Sequence, residues 1–270
     1  MDNITEIQSP LPVIQRNAWL KVLSIAVDFY ILLLAALLLT RNSNLFPILV
    51  MVGSFMVPVA YVAFFYERRH FSQLSLPTVS QAFIFGGLLG VIAASILEPF
   101  FIRQLDLVSV LEVGFIEEFA KILGVLFITR NLRRDLEMDG LILGAASGMG
   151  FAALESSGYA FTAFLTSNGS ISATVIVTLI RGLISPLGNG TWTAILSSVI
   201  FRESRNGRFS IDLQVVGAFV LVSFLHAMWD WLPQVLTPIF GLGLGVIIAE
   251  GVIGIFGLVV LWTRWREAIR

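Results

Sequence analysis

The 270-residue chain contains no cysteine and only two histidines, His70 and His226. The first absence excludes disulfides, thiolate metal sites and a cysteine nucleophile. The second leaves no material for an H-E-x-x-H zinc site. Charge is scarce as well: Asp, Glu, Lys and Arg make up 13% of the residues, about half the share of a soluble domain. The formal net charge is −1, and no basic stripe marks a surface for nucleic acid. Met1 to Pro12 is polar and acidic. It lacks the basic-then-apolar pattern of a cleaved signal peptide, so the first apolar span is expected to anchor the mature protein.

What the chain has in quantity is apolar surface: 57% hydrophobic residues and a mean hydropathy of +0.88. A bilayer core needs about 20 apolar residues per helix. Eight segments meet that need, at 19–40, 45–66, 81–99, 107–129, 140–165, 171–201, 213–232 and 239–263. The expectation is an all-α polytopic membrane protein with one transmembrane domain over 1–270, a cytoplasmic segment at 1–18, and short connections. Two of those connections, Ser167–Ser170 and Pro233–Pro238, carry no charge. The sixth segment holds Pro186 among Gly182, Gly188 and Gly190, where a kink is expected. With the N-terminus inside, thirteen Lys and Arg side chains fall on the cytoplasmic side, and only Arg41 and Arg103 fall outside. That bias places both termini in the cytoplasm of a cell whose inner membrane the chain crosses.

Ionisable residues within such spans are costly and mark function by default. The fourth segment carries Glu117, Glu118 and Lys121, the fifth Phe151 and Glu155, the sixth Arg181 and Asn189, the seventh His226 and Asp230. At about 1.5 Å per residue, Glu117, Asn189, His226 and Glu155 all lie about 18–23 Å from the cytoplasmic ends of their helices. Four helices therefore present polar groups at one level. Glu117/Lys121 and His226/Asp230 are i,i+4 pairs, each on one helix face. Gly140, Gly144 and Gly148 share a stripe with Phe151 and Glu155, and small residues at this spacing let another helix approach closely. Glu155 is thereby expected in the bundle, near Arg181 and His226.

Peptide hydrolysis without a nucleophilic side chain needs a base that activates water and donors that hold the developing oxyanion. Glu117 or Glu118 can be that base, with Lys121 tuning the pair, and His226 or Asn189 can be the donor. The adjacent glutamates point about 100° apart on the helix and need not share a role. Blander readings compete: a buried ion pair for the glutamates and Lys121, a structural Glu155–Arg181 bridge, a satisfied core imidazole for His226. A Ser147–His226 serine pair is disfavoured by depth, and an aspartyl protease lacks its G-x-G-D motif. A proton- or cation-coupled transporter remains the runner-up, although the two halves show no internal repeat.

Three strings resemble the PrsW family of intramembrane proteases, distant relatives of the type II CAAX prenyl proteases. They are Glu117-Glu118-Phe119-Ala120-Lys121, the Gly144–Gly150 run ending in Phe151 and Glu155, and His226 through Trp229 to Asp230. They fall in order within 107–232. The resemblance implies a glutamic-type endopeptidase that cuts single-span or otherwise membrane-anchored proteins. In the family's best-known case the substrate is an anti-sigma factor, cut near its extracytoplasmic face. On this reading Glu117, Glu118, His226 and Glu155 are catalytic, and Lys121, Asn189, Asp230, Arg181 and Phe151 support them. No metal or other cofactor is required, although Glu117, Glu155 and His226 could form a weak oxygen-rich site. One departure stands out: many relatives carry a His where this chain has Asn189, which leaves an inactive PrsW-like scaffold as a further alternative.

Overall fold

The computed structural model describes residues 17–69, 72–101, 106–130, 136–205 and 208–270. Most of the expected cytoplasmic segment at 1–18, together with Arg16, His70, Arg103, Arg133 and Arg134, lies outside the described residues.

Helices cover each apolar segment. They are α1 (Ala18–Thr40), α2 (Leu45–Glu67), α3 (Leu76–Phe101), α4 (Leu107–Thr129), α5 (Glu137–Thr166), α6 (Ile171–Ile184), α7 (Asn189–Arg202), α8 (Leu213–Phe240) and α9 (Leu242–Ala268). Among the described residues there is no strand, and the fold is that of an all-α polytopic membrane protein. Six stretches among the described residues are long and apolar enough to cross a membrane: α1, α2, α3, α6 with α7, α8 and α9. The two that fall short are α4, which carries Glu112, Glu117, Glu118 and Lys121, and α5, which is rich in Gly and Ser.

For α5 the shortfall follows from position, which it shares with α7. In α5 every residue from Met138 to Ala153 is buried, and in α7 every residue from Gly190 to Phe201. The outer helices α1, α3, α6, α8 and α9 expose Leu, Ile, Val and Phe instead. Only lipid-facing surface must be apolar, whereas helix–helix contact inside a membrane favours small and hydroxyl residues. The α5 glycines make that contact with α7. A Cβ on Gly140 would meet the Ser197 carbonyl oxygen at 2.5 Å, on Gly144 that of Thr193 at 2.4 Å, and on Gly148 that of Asn189 at 2.1 Å.

The sixth segment breaks as the Pro186 region foretells. α6 stops at Ile184, a 3-10 turn spans Ser185–Leu187, and α7 starts at Asn189. The loosened backbone is held by side chains: Ser185 Oγ donates to the Gly182 carbonyl at 3.0 Å, and Thr191 Oγ1 to that of Pro186 at 2.6 Å. One expectation is corrected. Pro233–Pro238 is not a connection, because α8 runs through both prolines to Phe240 and the chain turns at Gly241, φ 83°. A proline inside a helix removes one hydrogen bond, whereas a loop within the bilayer would strand several backbone groups.

Candidate active site

The site is built on five elements, and α4 supplies its centre. Glu117, Glu118 and Lys121 lie within one turn, so the ammonium reaches both carboxylates: Nζ to Glu117 Oε2 at 3.1 Å and to Glu118 Oε1 at 2.9 Å. The Lys121 side chain is fully buried and stacks 4.1 Å from the Phe151 ring centroid. Its third donor goes to Asn189 Oδ1 at 2.5 Å. Asn189 is available because the break in the sixth segment leaves it in the first turn of α7. Its amide nitrogen donates to Glu155 Oε2 at 3.3 Å, and the same oxygen accepts Arg181 Nη2 at 2.9 Å. From α8, His226 Nδ1 meets Glu118 Oε1 at 2.9 Å, while Nε2 lies 3.3 Å from Glu117 Oε2 and 3.6 Å from Asp230 Oδ2. A continuous polar line thus runs from Arg181 through Glu155, Asn189, Lys121, the two glutamates and His226 to Asp230.

The two glutamates differ in access. Glu117 lines a cavity of about 510 Å³, shared with Glu98, Glu155, Arg181, His226 and Asp230. Glu118 is 0% exposed and spends its other oxygen on the Thr193 hydroxyl at 3.1 Å. It holds His226 and Lys121 and does not face the cavity. The sequence assigned the imidazole to Asp230, its i,i+4 neighbour, but Glu118 makes the closer contact from across the helix interface. Glu155 contacts Arg181 as expected; it reaches the rest of the level through Asn189. Ser147 Oγ donates to the Lys121 carbonyl at 2.9 Å, so it is a packing hydroxyl tying α5 to α4. A larger apolar cavity of about 670 Å³ lies along α1, α2 and α3 and includes none of these residues.

Sequence reasoning passed over four polar or aromatic contributors: Glu98 on α3, Tyr159 on α5, Trp192 on α7 and Gln234 at the far end of α8. Trp192 packs its ring 4.9 Å from that of His226. Of the four, only Glu98 carried a signal in the sequence, as a carboxylate inside the third apolar segment.

Residues 75–262 match the model of the PrsW family intramembrane metalloproteases. The chain belongs to the PrsW family. It is also 25% identical over 189 residues to Protease PrsW of Geobacillus kaustophilus (strain HTA426), covering 64% of this chain and 75% of that relative. No solved structure matches it. Membership makes this PrsW-family chain a membrane protease.

The family's description implies a metal, which the donor set here can be tested against. His226 Nε2, Glu117 and Asp230 approach one another, but Glu117 Oε2 is shared with the Lys121 ammonium, and the amide oxygen of Asn189 is taken by the same cation. Among the described residues no group of three or more His, Asp and Glu side chains is arranged to hold a metal ion. A dication beside the Lys121 ammonium would also meet its repulsion. As arranged, the residues do not fit a metal.

Proposed function

We propose that this PrsW-family protein is a glutamate-dependent intramembrane endopeptidase that cuts membrane-anchored proteins with a water activated by Glu117. The observation that carries this reading is the approach of Glu117 Oε2 and His226 Nε2, 3.3 Å apart on the wall of one cavity. A water held there can give a proton to Glu117 as its oxygen attacks the scissile carbonyl carbon. His226 Nε2–H donates to the oxyanion that forms, with Glu118 at Nδ1 fixing the ring. Collapse of the intermediate passes the proton from Glu117 to the departing amide nitrogen, and an acid and an amine leave. Lys121 keeps the two adjacent carboxylates in place, and Glu155 with Arg181 holds Asn189.

The strong excess of Lys and Arg on one side supports an inner-membrane topology with both termini in the cytoplasm. The cavity then reaches toward the outer face, where Glu98 and Gln234 lie near the ends of α3 and α8. Such placement favours a cut near the extracytoplasmic end of a substrate span, as in anti-sigma-factor signalling. Asn189 supports a second reading, an inactive scaffold, since both ends of its amide are already engaged.

Proteolysis in reconstituted liposomes tests the reading. Wild type should cleave a single-span substrate, and Glu117→Ala and His226→Ala should each abolish cleavage. Equal cleavage by all three would overturn the assignment. Silence of the wild type, followed by activity in Asn189→His, would establish the scaffold reading.

A further inference from the structure

Among the described residues four carboxylates line the cavity, and three are already matched. Glu117 takes Lys121 at 3.1 Å, Glu155 takes Arg181 at 2.9 Å, and Asp230 faces His226 at 3.6 Å. The fourth, Glu98, is half-buried on α3 and makes no hydrogen bond or ion pair with any described residue. It lies within electrostatic reach of three carboxylates, Glu117, Glu155 and Asp230, and of one imidazole, His226. An unmatched carboxylate in a membrane-embedded cavity is costly, and a cation in its reach relieves that cost. Among the described residues no cation is free to pair with it: Arg181 is held by Glu155 and stacks on the Tyr159 ring at 3.9 Å, and His226 is held by Glu118 at 2.9 Å.

Depth says where the partner sits. Glu98 is three residues from the end of α3 at Phe101, about 5 Å along the helix axis. Glu117 is ten residues inside the start of α4 at Leu107, about 15 Å from the same face. The offset of about 10 Å equals about three residues of extended chain.

We propose that Glu98 is a specificity-determining residue that selects substrates with a Lys or Arg about three residues from the scissile bond, on the side toward the face where α3 ends. The proposal rests on the protease reading and names the substrate class of the same cavity. It accounts for a carboxylate on the cavity wall that the hydrolytic steps do not use.

The test uses two single-span peptides, identical except for Lys or Glu at that position. Binding to the full-length protein in nanodiscs is followed by fluorescence anisotropy, with cleavage scored in parallel. Wild type should bind the Lys peptide about tenfold more tightly than the Glu peptide. Glu98→Gln, which keeps the side-chain shape, should level the two, and Glu98→Lys should reverse the order. A preference unchanged in Glu98→Gln, or no preference in wild type, overturns the proposal. Cleavage without preference removes Glu98 and leaves the protease reading. Preference without cleavage keeps charge selection by Glu98 and removes hydrolysis.

Discussion

Lys121 is the residue on which the polar level depends, because one fully buried ammonium serves Glu117, Glu118 and Asn189 together. Removing it leaves two carboxylates uncompensated in the bundle. Lys121→Met should therefore destabilise the fold by about 3–5 kcal/mol, read as a lower unfolding temperature in detergent. Glu117→Gln keeps the volume and removes only the base. Its expected signature is different: a loss of at least about 100-fold in kcat with KM and unfolding temperature little changed. The local pairings were visible in the sequence, since i,i+3 and i,i+4 spacing follows from helix geometry alone. The partner of His226 was not, because Glu118 belongs to another helix and is separated by more than one hundred residues.

At the scale of elements, the approach of α5 to α7 places Asn189 against Lys121. Gly148→Ala would put a methyl 2.1 Å from the Asn189 carbonyl oxygen, so the helices must part. A loss of about 1–3 kcal/mol in stability and of most cleavage activity is expected. Gly158→Ala, on the same helix with nothing within 4 Å, is the control and should be neutral or slightly stabilising. Helix starts offer a pH test. The Asp106 carboxyl caps α4 by accepting from Ser109 N at 2.8 Å and Ser109 Oγ at 2.9 Å. These bonds hold it below the usual carboxylate range. A depressed folded value means the cap's contribution is present above the unfolded value and is lost as pH falls through the folded one. Hydrogen exchange at Ser109 and Val110, normalised for intrinsic rate, should therefore accelerate as pH falls below the usual carboxylate range, and Asp106→Asn should flatten that dependence. The break at Pro186 was legible because Pro and Gly punctuate helices. The helical course of 233–238 was not, because its prolines carry the same signal in a stretch that the bilayer compels to stay helical.

Over the whole molecule, one end of the bundle is clasped by charge. Arg264 pairs with Glu137 at 3.3 Å and with Glu267, and Arg202 pairs with Glu203 at 2.7 Å and with Gln214, joining α5, α7, α8 and α9. The opposite end carries the cavity mouth. Since the chain has no cysteine, single cysteines at Ser43, Asn168 and Ser204 report topology without background. Ser43→Cys and Asn168→Cys should label in intact cells with an impermeant maleimide, and Ser204→Cys only after permeabilisation. The reverse pattern would place the cavity mouth in the cytoplasm and remove the extracytoplasmic cut.

Composition and periodicity by themselves determined the helical membrane class, the sites of the helices and the pairing of polar residues along one helix face. Those properties depend on the bilayer and on helix rise, and both act locally along the chain. Tertiary structure alone decided that the least apolar helices, α5 and α7, lie inside. It also separated Glu117, on the cavity wall, from Glu118, buried behind it, and left Glu98 without a partner among the described residues. Those outcomes depend on which helix faces which, and that is settled by close packing among residues far apart in sequence.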